Sequence, residues 1–191
     1  GLIGQADTSG LILYTSHKQG TVQGGERVGG LVGNLAGFSS EGLNGTRLGQ
    51  SFASGTVIGT DQVGGLIGVA KVGDYLQYAY ASASVKGAND VGGLIGKFAD
   101  GYVQYVYATG NAEATNTNAG GLIGVIDGGA FLYHAYAAGE VTGPAGETGG
   151  LVGEKSSGNA NPSGSFWDVS TTNQEETVGR GTGLSTDDMR T

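Results

Sequence analysis

The chain has no cysteine, which excludes a disulfide framework and thiolate metal ligation and leaves its redox compartment open. It holds only two prolines, and its glycines do not fall at every third position, so a collagen-type helix is excluded. Charge is scarce: Asp, Glu, Lys and Arg make up 14% of 191 residues, against about 25% in ordinary domains. The nine basic residues are scattered and the net charge is −8, so the sequence lacks the clustered cations that nucleic acid or an anionic membrane needs. No apolar run approaches the roughly 20 residues of a bilayer-spanning helix and no signal peptide is visible, so membrane insertion is not expected.

Glycine is what the chain has in excess, with 41 residues, about three times the usual share of roughly 7%. Leucine, isoleucine, valine and tyrosine recur in register with it, which argues against disorder. "VGGLIG" stands at 63–68 and again at 91–96. Leu2, Leu31, Leu66, Leu94, Leu122 and Leu151 each precede Ile or Val and then Gly, at spacings of 29, 35, 28, 28 and 29. The longest interval holds "SSEGLNGTRLGQ", read as a surface loop inserted into one repeat. The opening "GLIGQADTSG" looks like the tail of a "GGLIG" unit, so a longer parent chain is expected.

A second landmark follows in each repeat: Tyr14, Phe52, Tyr80, Tyr107, Tyr136 and Phe166. Helix is a poor reading, because glycine costs about 1 kcal/mol relative to alanine inside a helix and nearly every seven-residue window has one. Residues 79–86 alternate instead, with Ala79, Ala81, Ala83 and Val85 on one face and Tyr80, Ser82, Ser84 and Lys86 on the other. The same pattern puts Ser51, Ala53, Gly55 and Val57 inside, and likewise Ala135, Ala137, Gly139 and Val141. These features predict an all-β β-solenoid of about six rungs and ~28-residue repeats, stacked at about 4.8 Å a rung. Small antiparallel units or a propeller are the alternatives. The leucine column is expected to form the inward ladder, and its flanking glycines to allow tight corners and positive φ.

Residues 1–164 are read as the solenoid and 165–191 as a capping segment of the same domain. Trp167 is expected to pack in the cap, and Ser185 to N-cap a helical turn with Asp188 near its positive end.

"VGGLVG", "VGGLIG", "AGGLIG" and "TGGLVG", followed by "AYASASVKG" or "AYAAGEVTG", resemble the GLUG motif repeats of bacterial surface proteins, and "GSFWDVSTTNQ" with "GTGLSTDDM" is similar to the segment that often closes such arrays. The resemblance covers essentially the whole chain. It implies a secreted or cell-surface location, in adhesins such as hemagglutinin-like exoproteins or in noncatalytic parts of IgA-cleaving metalloproteases. No H-E-x-x-H occurs here, so the protease part of such proteins is not implied.

Several residue sets are candidate sites. Tyr14, Phe52, Tyr80, Tyr107 and Tyr136, with Tyr78, Tyr105 and His134 beside them, could bind glycans or a partner surface through ring faces, or stack for stability alone. Ser16, Ser54, Ser82, Thr109 and Ala138 form a small-residue column, followed by Lys18, Thr56, Ser84, Asn111 and Glu140, and suggest an ice-binding face. Glu26, Asp61, Asn89 with Asp90, Asn118 and Glu147 form an acidic and amide column where calcium is conceivable, although ordinary turn chemistry explains it better. His17 and His134 lie several repeats apart with no metal spacing around them, and Glu175, Glu176, Asp187 and Asp188 fall in the terminal segment, so no enzyme, metal or cofactor is expected. Asn44, Gly45 and Thr46 spell a glycosylation acceptor.

The reading is therefore a noncatalytic, extracellular segment of a bacterial adhesin whose repetitive face meets a cell surface or glycan. An ice-binding protein and a structural spacer are the alternatives. An unpaired edge on the first rung could also join two copies edge to edge.

Overall fold

A computed structural model describes residues 2–6, 11–36, 47–71, 75–156, 162–175 and 180–190. Short strands pair in parallel with their counterparts one repeat away and build a β-solenoid with four walls. The first wall holds Ile3–Ala6, Val32–Leu35, Ile67–Ala70, Ile95–Phe98, Ile123–Ile126 and Val152–Lys155. The second is built around Tyr75–Ala81, Tyr102–Ala108 and Phe131–Ala137, extended on one side by Arg47–Gly49 with Phe52–Ala53 and by Leu11–Leu13 with Ser16–His17. Among the described residues the third wall holds Thr21–Gln23, Thr56–Ile58, Ser84–Gly87, Ala112–Ala114 and Val141–Thr142, and the fourth Glu26–Gly29, Asp61–Gly64, Asn89–Gly92, Ala119–Gly120 and Thr148–Gly149. Five complete turns result, and Val152–Lys155 and Phe166–Asp168 begin a sixth.

The register reproduces the leucine spacing: Ile3 lies beside Val32, Val32 beside Ile67, Ile67 beside Ile95, Ile95 beside Ile123 and Ile123 beside Val152. Parallel stacking places each residue on its equivalent, so one apolar position per repeat becomes a continuous column in the core. Leu31, Leu66, Leu94, Leu122 and Leu151 are fully buried. Leu2, expected in the same ladder, is instead 64% exposed. It lies in the first turn, where no described strand stacks outside Ile3–Ala6.

The interior divides into two apolar clusters. The larger joins the leucines to Ile67, Ile95, Ile123, Phe98 and Trp167, and the smaller gathers Val57, Val63, Val85, Val91 and their equivalents. Between them Gly30, Gly65, Gly93 and Gly121 each face an alanine of the second wall and Gly150 faces Trp167, and a Cβ built on Gly65 would lie 2.9 Å from the Ala81 Cβ and 2.1 Å from the Gly93 carbonyl oxygen.

This gives the repeated glycines a different role from the expected one. Among the described residues the glycines with positive φ are Gly20, Gly55, Gly101, Gly128, Gly146 and Gly164, none of them in a Gly-Gly-Leu unit. The left-handed corners beside those units fall on Arg27, Gln62, Asp90 and Asn118. The paired glycines are required by close approach of backbones, and the turn is made by residues with side chains.

The C-terminal segment continues the same core. Phe166 pairs with Tyr136, and Thr182–Leu184 adds a further parallel strand beyond Phe166–Asp168. Trp167 occupies the position of Ala53, Ala81, Ala108 and Ala137 and is fully buried. Asp168 caps the one-turn helix Val169–Thr172 and accepts a hydrogen bond from Thr186 Oγ1 at 2.7 Å. Ser185 Oγ accepts from the Asp188 amide at the start of the 3-10 turn Asp188–Arg190, as expected for an N-cap.

Candidate functional site

The second wall carries the aromatic residues because its strands do not alternate simply. In Tyr75–Ala81, Leu76, Ala79 and Ala81 point inward, whereas Gln77 and Tyr78 both point out. Tyr78 has φ 53°, and its left-handed backbone shifts the alternation by one residue. Tyr14, Gln50, Tyr105 and His134 share this conformation, which costs a non-glycine residue about 1–2 kcal/mol. The corners at Gln50, Tyr78, Tyr105 and His134 therefore each place a large side chain on the outer surface two residues before a ring, whereas Tyr14 precedes Ser16.

Three columns of rings result. Phe52, Tyr80, Tyr107 and Tyr136 stack with centroids 4.9, 4.8 and 5.0 Å apart. Tyr78, Tyr105 and His134 stack at 5.2 and 5.1 Å. Tyr75, Tyr102 and Phe131 stack at 4.9 Å throughout. The rung spacing sets these separations, and each pair contributes about 0.5–1.5 kcal/mol beyond its buried area. Exposure remains considerable, at 59% for Tyr78 and 46% for Tyr105.

The third column was not anticipated, yet its signal is in the sequence: "YLQYAY", "YVQYVY" and "FLYHAY" each begin with an aromatic three residues before the second column. Tyr14 is a correction. Leu13 and Gln77 both pair with Gly49, which aligns Tyr14 with Gln50 and Tyr78, not with Phe52. Ser16 is the true counterpart of Phe52, so it also leaves the small-residue column. Counting forward from leucine would have found this, because Tyr14 follows Leu2 by 12 residues, as Tyr78 follows Leu66.

Lys18 Nζ lies 5.4 Å from the Phe52 ring centre, and the Arg47 guanidinium carbon 5.5 Å from that of Tyr75. Two of the three stacks thus end on a cation at the side of the second turn. The Tyr78 stack ends at Gln50. Next to it a cavity of about 420 Å³ is lined by Arg47, Gly49, Gln50, Tyr75, Gln77 and Tyr78. Burial raises the Tyr107 phenol above its usual range, with further contributions from Tyr136 and Tyr80, and burial also raises Tyr136.

At the corner between the second and third walls, Ser54, Ser82, Thr109 and Ala138 stand in one line, each directly after an aligned alanine of the second wall. The next outward column is Thr21, Thr56, Ser84, Asn111 and Glu140; Thr21, not Lys18, pairs with Thr56. Lys86 and Glu113 form an exposed ion pair of 2.6 Å on the third wall.

The acidic and amide column is in fact two. Glu26, Asp61, Asn89 and Thr117 form one, and Arg27, Gln62, Asp90, Asn118 and Glu147 the other. Asn89 Nδ2 donates to Asp61 Oδ1, Thr117 Oγ1 to Asn89 Oδ1 at 3.2 Å, and Asn118 Nδ2 to Asp90 Oδ1 at 2.8 Å. The amides bond the carboxylates between rungs, and no group of three or more His, Cys, Asp or Glu among the described residues could hold a metal.

His17 aligns with Ala53 at the interior waist, and its Nε2 is buried without a hydrogen-bond partner. His134 stacks on Tyr105, so the two histidines do not meet. The acceptor at Asn44–Thr46 and Glu176 lie outside the described residues.

Fold and face together define a β-solenoid repeat protein with one wall striped by aromatic rings. Neither a family model nor a curated protein matches the sequence. Among solved structures, the chain is similar to a Bacteroides ovatus protein whose 1.30 Å crystal structure is described as that of "a putative immunoglobulin A1 protease". The TM-score is 0.74 at 20% identity, over 98% of this chain and 67% of that one. The likeness is one of fold, since both are solenoid-like.

Proposed function

We propose that this chain is a noncatalytic, extracellular segment of a bacterial surface or secreted adhesin of the GLUG-repeat type, in which the second wall is the binding face. The supporting observation is the set of three ring columns, held in register by the backbone ladder, in which Tyr78, Tyr102, Tyr105, Phe131 and Tyr136 are exposed to solvent. A rigid rung spacing repeats each weak contact, so a glycan or cell surface meets many at once and avidity builds without a deep pocket.

Replacing Tyr78, Tyr105 and Tyr136 by alanine tests the reading. Binding of the purified chain to bacterial or host cell surfaces, followed by flow cytometry, should fall by at least about tenfold if several such contacts act together. Unchanged binding would leave the structural-spacer reading. The fold neighbour's description raises proteolysis as a further question, and incubation with immunoglobulin A1 should leave that protein intact.

A further inference from the structure

The Tyr78 stack has one face covered and one open. Tyr105 lies on one side at 5.2 Å, and on the other side the next column position is Gln50. Gly49 occupies the rung position next to Gln77, so among the described residues no outward side chain fills the space between Arg47 and Gln50. In the following turn Tyr102, Gln104 and Tyr105 continue all three positions. The cavity is thus a notch one rung deep where the outer side-chain array is interrupted.

Its chemistry is mixed in a specific way. The free Tyr78 face offers a flat apolar surface, Gln50 and Gln77 offer amide donors and acceptors, and Arg47 offers a guanidinium held against the Tyr75 ring. Among the described residues Arg47 forms no salt bridge. A pyranose ring has an apolar face that suits an aromatic platform, and its hydroxyls suit amides. The cation then selects a sugar with a carboxylate, which a guanidinium engages through two parallel hydrogen bonds.

We propose that this notch is a subsite for a carboxylate-bearing pyranose of a glycan, stacked on Tyr78, hydrogen bonded by Gln50 and Gln77, and ion-paired to Arg47. The proposal rests on the binding-face reading of the second wall and gives that face its ligand class. Hexuronates and sialic acids share this chemistry.

The test is titration of the intact chain with a glucuronic-acid-terminated disaccharide, with 3′-sialyllactose and with lactose, followed by saturation-transfer difference NMR and calorimetry. At least one acidic probe should bind saturably, and lactose at least about tenfold more weakly, the scale of one charge-assisted hydrogen bond. Arg47→Gln should weaken the acidic probe by a similar factor and leave lactose unchanged. Gln50→Tyr, which installs the side chain found in equivalent turns at the same backbone conformation, should fill the notch and abolish binding without loss of the β-sheet circular dichroism signal. Whichever acidic probe binds identifies the source.

Absence of saturable binding by both acidic probes would overturn the proposal, as would affinity for them that neither variant changes. If the triple tyrosine variant loses cell-surface binding while the acidic probes do not bind, the notch proposal fails and the face survives. If cell-surface binding is also unaffected, both fail.

Discussion

Gly65 and Ala81 meet across the interior waist so closely that a methyl group on the glycine would lie 2.9 Å from that of the alanine. It would also lie 2.1 Å from the backbone oxygen of Gly93 in the next turn, and backbone cannot yield as a side-chain tip can. The waist therefore holds two opposite walls together at a distance only glycine allows.

Gly65→Ala should then destabilise the chain by about 1–3 kcal/mol or more, the range for overpacked cores. Gly25 is the control, because a Cβ there meets no atom within 4 Å and its φ is not positive. Gly25→Ala should be neutral or stabilising by up to about 1 kcal/mol through the unfolded state. Urea titrations of both variants check the contrast.

Trp167 fills the waist position at the last turn, and a Cβ on Gly150 would lie 2.1 Å from its Cδ1 atom. Burial of the whole indole closes the large apolar cluster at that end. Trp167→Ala should cost about 3–5 kcal/mol, and hydrogen exchange should show the amides of Thr182–Leu184 losing protection before those of the third turn.

The stacked phenols predict alkaline sensitivity. Tyr107 and Tyr136 have folded pKa values above the ordinary value of about 10, because burial disfavours their phenolates. The folded chain therefore keeps protons that the unfolded chain gives up. The stabilisation is fully present below about pH 10 and is lost as pH rises through the raised folded values. Thermal melts from pH 8 to 11 should show this fall, and a Tyr107→Phe, Tyr136→Phe double variant should flatten it.

The third wall should not bind ice. Its outward columns include the Lys86 and Glu113 ion pair and Glu140, charged groups that interrupt any lattice-matched array of hydroxyl and methyl groups. Ice grown in the purified chain should be round with no thermal hysteresis, and faceted crystals would reverse this reading.

Produced as the isolated 191-residue segment, the chain should associate through its first turn. Its strands Ile3–Ala6, Thr21–Gln23 and Glu26–Gly29 are the end members of their sheets among the described residues. Unpaired strand edges pair with other strands. Sedimentation velocity should show a dimer that grows with concentration; a single species at high concentration would remove it.

The inside and outside of Ala79–Val85, the buried leucines from Leu31 to Leu151 and the role of Trp167 were all readable beforehand. Tyr14 and Ser16 were not placed correctly, because the inserted residues before Arg47 hid the alignment of the first turn with the second. Strand pairing resolved it: His17 lies beside Ala53, yet Thr21 lies beside Thr56, so the first turn carries one residue more between the two pairings.

By itself the sequence determined the period, the all-β character and the apolar columns, and strand pairing then decided for parallel stacking over antiparallel units or a propeller, so that each residue's spatial neighbour is its own equivalent one period away. Only the tertiary structure decided where the period of two breaks. The left-handed corners at Tyr78, Tyr105 and His134, and at Gln62, Asp90 and Asn118, turn successive side chains to the same side. Such a corner has no fixed residue type here, because the hydrogen-bond ladder and the glycine waist impose the conformation on whatever side chain stands there. That imposed geometry set the third ring column beside the other two and left the notch at Gln50.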